Sequence, residues 1–213
     1  MNSSGLYRDI TGFAHTTPGW VQSVLEGWTE YGLLLFGGLF IAAWWRARDR
    51  RSHRALAVAV LAAPATAVAY VVSEALKSLV DEERPCRAVA GAVAPLVACP
   101  APGDWSFPSN HAAIAGASAV TLALAVRGLA LLTVPLALLM AFSRVFVGVH
   151  YPHDVAVGLL MGGAVAALVV LAFAGPLSRI TAAMRASGVR AAVWFTGPGP
   201  ARQGGNVPGC RLP

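Results

Sequence analysis

The chain reads as an all-α, polytopic membrane helix bundle, and three observations predict it. Hydrophobic residues fill 56% of the 213 positions and charged residues only 12%, against about 25% charged in soluble domains. Mean hydropathy is +0.62. Apolar runs alternate with short polar turns, and the arginines collect at every second turn. The net charge of +6 does not point to nucleic acid, because these arginines border apolar spans and follow membrane topology. The three cysteines lack Cys-x-x-Cys spacing, which argues against a structural zinc site.

Residues 1–27 carry apolar residues at helical spacing in two pieces, split by Thr16-Thr17-Pro18-Gly19. Both pieces are short and polar, so they are expected as interfacial helices, without the apolar core of a cleavable signal peptide. His15 is expected at the surface. The membrane domain is expected over 28–174. Its first span runs from Trp28 to Trp45, with Trp44 and Trp45 as an interfacial belt. Five arginines follow within Arg46–Arg54. The second span is Ala55–Leu76, bent at Pro64. A long polar connection covers 77–110. Within it the apolar run Ala88–Ala98 is too short to cross and is expected as a lid or a shallow dip into the outer leaflet. Span three, His111–Val126, has sixteen residues and about 24 Å of length, short of the roughly 30 Å core. The start of that helix should therefore be recessed. Span four is Leu129–Val147 and span five Val155–Ala174. Residues 175–213 form a basic, Gly/Pro-rich tail in which Leu177–Phe195 fits an interfacial helix. The Arg46–Arg54 turn, Arg127 and the tail fall on one side of five spans, which the positive-inside rule makes cytoplasmic.

The opposite side holds costly groups. Ser143-Arg144 is followed after five residues by His150, and His150 after three by Asp154. Ionisable residues against a bilayer are functional candidates by default. His150 and Asp154 share one face of a helical turn, and a carboxylate on one ring nitrogen leaves the other free as base or nucleophile. Arg144 offers a fork suited to phosphate oxygens. Two further stretches join it: Lys77, six residues, Arg84-Pro85; and Pro108-Ser109-Asn110-His111. Glu74, one turn before Lys77, is placed to orient or neutralise that lysine.

Together these three segments resemble the signature of the type 2 phosphatidic acid phosphatase (PAP2) superfamily. Each specified letter matches except Asn110, where the family has glycine. The resemblance covers 77–154 directly and implies a PAP2/acid phosphatase-haloperoxidase-like core. It implies that His150 attacks phosphorus to form a phosphohistidine, Asp154 fixes its tautomer, and His111 protonates the leaving oxygen and then activates water. Lys77, Arg84, Ser109, Asn110 and Arg144 would hold the phosphate, with Glu74 and Ser143 behind them. Ser109 is read as a helix cap, a phosphate donor, or both. Asn110 adds a side chain at the cradle. No cofactor or metal is implied. His111, His150, His153 and Asp154 are zinc-type ligands, yet the surrounding cations disfavour a metal. His153 is expected at the surface or behind the site, and His53 at the cytoplasmic face.

The resemblance further implies a plasma-membrane lipid phosphatase with its site on the extracytoplasmic face, no nucleic-acid partner, and a lipid phosphate or diphosphate as substrate. A polyprenyl (undecaprenyl or decaprenyl) diphosphate is the first expectation. Phosphatidylglycerophosphate or phosphatidate hydrolysis, lipid phosphotransfer, and non-catalytic lipid binding or transport are the alternatives. Cys86 and Cys99 share the outer loop, thirteen positions apart, and are read either as a disulfide in an oxidising setting or as two buried thiols. Cys210 is expected to stay reduced.

Overall fold

The computed structural model describes residues 3–50 and 52–197. Arg51, Arg202, Cys210 and Arg211 lie outside them. The helices are α1 Ser4–Thr16, α2 Gly19–Asp49, α3 His53–Val80, α4 Pro85–Ala88, α5 Asn110–Ala125, α6 Ala130–Phe146, α7 Pro152–Ala186 and α8 Arg190–Thr196, with a 3-10 turn at Arg127–Leu129. Among the described residues, α2, α3 and α7, and α6 taken with the 3-10 turn before it (Arg127–Phe146), are long and apolar enough to cross a membrane; α5, at 16 residues, is shorter.

Local sequence explains the limits of these helices. Ser52 caps α3 by accepting from Ala55 N–H at 3.2 Å. Asp81 ends α3 in the left-handed region, φ 49°. Pro64 lies inside α3 without ending it. Two expected boundaries are absent. The piece after Pro18 is not a separate interfacial helix but the first turns of α2, and α7 runs on past Ala174 to Ala186. Gly27 falls inside α2, and Gly175-Pro176, a pair that commonly ends a helix, falls inside α7 without ending it.

The centre of the bundle is the close packing of α3, α5 and α7. It is built from small residues: Ala65, Ala69, Ala117 and Ala166 form one buried cluster. At Gly158 an added Cβ would stand 2.6 Å from the Ser109 carbonyl oxygen, and at Gly162 it would collide with the Ala113 carbonyl. The backbones of α5 and α7 therefore touch, as small-residue stripes allow in lipid, where apolar burial alone does not drive helices together. Larger side chains, Phe36, Leu122 and Met140, fill the α2–α5–α6 interface.

The bundle has two unlike ends. At one, Arg185 donates to Arg48 O (3.2 Å) and Thr196 O (2.6 Å), and Trp44 lies 5.8 Å from Trp194 between ring centroids. At the other, α1 and residues 85–104 form a roof over the loop between α6 and α7. Leu96 N donates to Val147 O at 3.0 Å, Arg8 to Ala90 O at 2.9 Å, and the His15 ring meets Ala94 O at 2.8 Å. Cys86 and Cys99 are joined by a disulfide, Cα–Cα 6.1 Å. The 88–98 run lies over the loop between α6 and α7, and its apolar residues Val89 and Ala92 pack on Tyr7, Tyr151 and their neighbours.

Candidate active site

The three motifs converge beneath that roof. One cavity of about 430 Å3 is lined by Lys77, Arg84, Asn110, His111, Arg144 and His150, with Glu74, Asp104 and Pro100, and with Tyr70 and Ile114 one helical turn from Glu74 and Asn110. Each residue arrives on a different support. Lys77 sits on the last turn of α3, Arg84 just before α4, and Asn110 and His111 on the first turn of α5. Arg144 is on the last turn of α6, and His150 in the loop before α7.

The deep half of the site is organised around His150, which is 2% exposed. Arg84 Nη1 stands 3.2 Å from His150 Nε2, and His150 Nδ1 stands 3.3 Å from Asp154 Oδ2. Arginine only donates and carboxylate only accepts, so this arrangement selects the tautomer with the proton on Nδ1 and a lone pair on Nε2. Burial, and then the charges of Arg144, Arg84, Lys77 and His111, push the His150 imidazole well below its ordinary value, so it is held neutral. The loop carrying it is clamped from two sides. Arg84 Nη1 donates to Val149 O at 3.0 Å, and Tyr7 OH donates to Gly148 O at 2.9 Å. Gly148 has φ 89°, which favours glycine at this turn. Asp154 Oδ2 also accepts from Tyr151 N–H at 2.8 Å and from the Ser106 hydroxyl.

The rim carries the phosphate-type groups. Asp104 Oδ1 is bound to Arg84 Nη2 at 2.9 Å and to Lys77 Nζ at 3.4 Å, and Asp104 O accepts from Arg84 Nε at 2.8 Å. Burial works to raise the Asp104 carboxyl, but Arg84 and Lys77 outweigh it and hold it below its ordinary value. Glu74 lies 3.6 Å from Lys77. Asn110 is anchored: Ser73 donates to its Oδ1 at 2.7 Å and its Nδ2 donates to Glu74. The asparagine amide is thus committed to α3, and its donor group faces a carboxylate.

Two side-chain donors of the motifs are buried without a hydrogen-bond partner. Arg144 donates through Nη1 to Thr29 (2.8 Å), but its Nε has no hydrogen bond; the Ser109 hydroxyl likewise has none. Ser109 makes no side-chain cap for α5; it is fully buried and stands just behind the cavity-lining Asn110 and His111 in the chain. The first N–H groups of α5 have no partner within the helix, as at any helix start. Ser143 is different. Its hydroxyl donates back to Met140 O at 2.8 Å within α6, so its role is local to that helix and it does not stand behind the other site residues. His153 is 7% exposed and does not line the cavity. Among the described residues, Glu82, His153 and Asp154 bring ligand-type atoms within 4.8 Å of one another.

Sequence reasoning missed Tyr7, Thr29, Asp104 and Ser106. Asp104 had a readable signal: a buried Lys77–Arg84 pair needs a carboxylate nearby. Ser106, three residues before Ser109, and Thr29, on another helix, carried none.

Comparison with known proteins gives this fold and site a family. A profile described as the PAP2 superfamily matches residues 56–176, and the chain belongs to that superfamily. It is 40% identical over 89 residues to an undecaprenyl-diphosphatase of Sulfolobus acidocaldarius, covering 41% of this chain and 43% of that protein. It is 39% identical over 104 residues to the decaprenylphosphoryl-5-phosphoribose phosphatase of Mycobacterium tuberculosis, covering 48% and 54% respectively. The chain thus spans about half the length of these curated relatives. The undecaprenyl-diphosphatase BcrC of Bacillus subtilis is 32% identical over 169 residues, 78% of each chain. The crystal structure of a transmembrane PAP2 type phosphatidylglycerolphosphate phosphatase from Bacillus subtilis superposes with TM-score 0.58 at 23% identity, over 78% of this chain and 83% of that one. That likeness bears on the fold.

Proposed function

We propose that this chain is a membrane lipid phosphatase whose substrate is a polyprenyl diphosphate, hydrolysed to the monophosphate at the extracytoplasmic face. One observation carries the reading: Lys77, Arg84, Arg144, His111 and His150 line a single cavity together with Tyr70 and Ile114. A phosphate fits the cations, and the first carbons of a lipid tail fit those two side chains.

The reaction follows from the chain's own groups. The cations and the orphaned Arg144 Nε and Ser109 hydroxyl bind the terminal phosphoryl oxygens. The His150 Nε2 lone pair forms a bond to phosphorus while the bond from phosphorus to the leaving oxygen breaks. His111 gives that oxygen its proton. Asp154 supports the charge that develops on the His150 ring. Water, losing a proton to His111, then attacks phosphorus, and the P–N bond breaks to release inorganic phosphate. The cationic cluster supplies the electrostatics that a metal would otherwise provide.

The match to BcrC over most of both chains supports an isoprenoid diphosphate. The Mycobacterium relative's name favours a second reading, a decaprenyl-linked phosphosugar, on 39% identity over 104 residues. Phosphate release by detergent-purified protein from undecaprenyl diphosphate, a decaprenyl phosphosugar and phosphatidylglycerophosphate, each with and without chelator, separates these. Faster turnover of the glycerolipid than of either isoprenoid overturns the substrate assignment. Orientation is read by labelling single introduced cysteines in intact cells. An impermeant external reagent should reach a cysteine at 101–103 and not one at 46–49.

A further inference from the structure

We infer that His153, held by Glu82, is a positioning residue for Asp154 and through it for His150, so that a second carboxylate–histidine pair stands behind the first. This rests on the functional reading of His150 and Asp154 given above.

The observation that opens the argument is the unequal treatment of the two Asp154 oxygens. Oδ2 receives the Tyr151 N–H at 2.8 Å, the Ser106 hydroxyl, and His150 Nδ1 at 3.3 Å. Oδ1 is buried without a hydrogen bond. Its recorded polar neighbour is His153 Nε2, at 3.3 Å. A carboxylate oxygen sealed from water without a partner is costly, and a nearby N–H edge is what offsets that cost.

The His153 ring is built into place on all sides. It stacks on Tyr151 at 5.2 Å and 19° and lies 5.9 Å from Phe107. Nδ1 meets the Ser3 hydroxyl at 2.7 Å. Nε2 is 3.1 Å from both oxygens of Glu82. Every group facing Nε2 is an acceptor-only carboxylate, so Nε2 carries a proton. Glu82 therefore takes the aligned hydrogen bond and fixes the ring, while the same positive edge faces Asp154 Oδ1. The Glu82 backbone adds to the frame: its carbonyl accepts from Ser106 N–H at 2.8 Å, and Ser106 in turn donates to Asp154.

Without His153 the Oδ1 atom has no compensation. Asp154 then either rotates, losing the Nδ1···Oδ2 contact that selects the His150 tautomer, or takes up a proton on Oδ1, losing the charge that supports the His150 ring. His153 does not line the cavity, so it acts on the reaction only through Asp154. Its place in the chain agrees with this. It precedes Asp154 on the first turn of α7, and it ties that turn to the end of α3 and to α1.

The test compares His153→Leu, which fills the space without polar atoms, with His153→Gln, which keeps an N–H donor. For hydrolysis of undecaprenyl diphosphate, His153→Leu should lower kcat by about 10–100-fold, the usual cost of losing a group that orients a functional residue from behind. KM should stay within about twofold, because the phosphate clamp is untouched. His153→Gln should recover most of the loss. A second measurement needs no turnover: binding of inorganic phosphate and of orthovanadate to the purified protein. Phosphate affinity reports the cationic clamp and should be retained. Vanadate, which takes an apical nitrogen ligand, should bind His153→Leu about tenfold more weakly and His153→Gln nearly normally. Unchanged kcat and vanadate binding in His153→Leu overturns the inference. So does equal damage in both variants, or equal loss of phosphate and vanadate, which would mean ring packing or general disturbance. If the wild type hydrolyses no lipid phosphate while the vanadate pattern holds, the functional reading falls and this inference stands.

Discussion

The deep half of the candidate site and its rim use the same residue types to opposite ends. At His150 and Asp154, 2% and 0% exposed, the hydrogen bonds all go to groups of the chain itself, and Asp154 Oδ1 is left without one. At Lys77, Arg84 and Asp104 the cations are buried, but the carboxylate that neutralises them has a side chain 49% exposed. The deep pair is finished before a ligand arrives. The rim is balanced by a loop carboxylate sitting on the groups that phosphate would need. The difference teaches that orientation and charge are delivered by different partners, with Arg84 joining the two layers: its Nη1 meets His150 and its Nη2 meets Asp104.

The largest effect should come from breaking the deep layer. His150→Ala removes the lone pair that forms the bond to phosphorus and should lower kcat by about 10^4-fold or more. Covalent phosphoenzyme, trapped by a base quench of labelled lipid diphosphate, should vanish with it. Trapped phosphate or near-normal turnover in this variant would assign the nucleophile elsewhere.

Asp154→Asn breaks the same layer one step back. The amide is nearly isosteric, but it carries donors and no charge, so His150 loses its tautomer and support. The expected loss is about 10^2–10^4-fold in kcat. Affinity for inorganic phosphate should stay close to that of the wild type, because Lys77, Arg84 and Arg144 are unchanged. A parallel fall in phosphate affinity would show that the two layers are not separable.

What the sequence made legible divides along the same line. Lys77, Arg84, His111, Arg144 and His150 could be placed together because their three segments resemble the PAP2 signature and the arginine asymmetry puts all three on one side of the bundle. Asp154 was legible through its four-residue offset from His150. The second layer of partners was not. Thr29 meets Arg144, and Tyr7 meets Gly148, across more than a hundred residues, and no periodicity encodes such a pair. Ser143 misled in the other direction. Its position in a motif implied a site role, whereas a serine inside a helix readily back-bonds to its own turn, here Met140 O. The helices run unbroken through 27–28 and 174–175, the expected limits of the membrane domain, since hydropathy marks where lipid begins and not where a helix stops.

The two layers should also separate in pH. His150 is held neutral by burial and the surrounding cations, whereas the unfolded chain protonates it near pH 6.5. Below that pH the unfolded state binds the extra proton, so stability falls as pH drops from about 6.5. Asp104 is held ionised in the folded state, so its contribution persists above about pH 4 and is lost as pH falls through the lowered folded value. Thermal melts of detergent-purified protein should show this. His150→Gln should flatten the loss between about pH 6.5 and 5, and Asp104→Asn only the part below about 4. An Asp104→Asn effect near pH 6 would contradict the assignment.

The smallest effect sharpens the comparison most. Asp104 Oδ1 bridges Lys77 and Arg84 where a phosphoryl oxygen would sit, so it competes with any anion entering the cavity. Removing its charge should strengthen anion binding, although a half-exposed carboxylate is well screened. A change of about 1 kcal/mol corresponds to about fivefold. Sulfate is the suitable probe, because its charge does not change between pH 4 and 8, and calorimetric titration reads the affinity directly. Asp104→Asn should bind sulfate about fivefold more tightly near neutral pH and lose that advantage only at a pH below the ordinary carboxylate range, because Arg84 and Lys77 hold the wild-type carboxyl ionised down to there. The Asn variant keeps a side chain of the same size, so the comparison isolates charge from packing. Weaker sulfate binding in Asp104→Asn would mean that Asp104 orders Lys77 and Arg84 for the ligand and does not stand in its place.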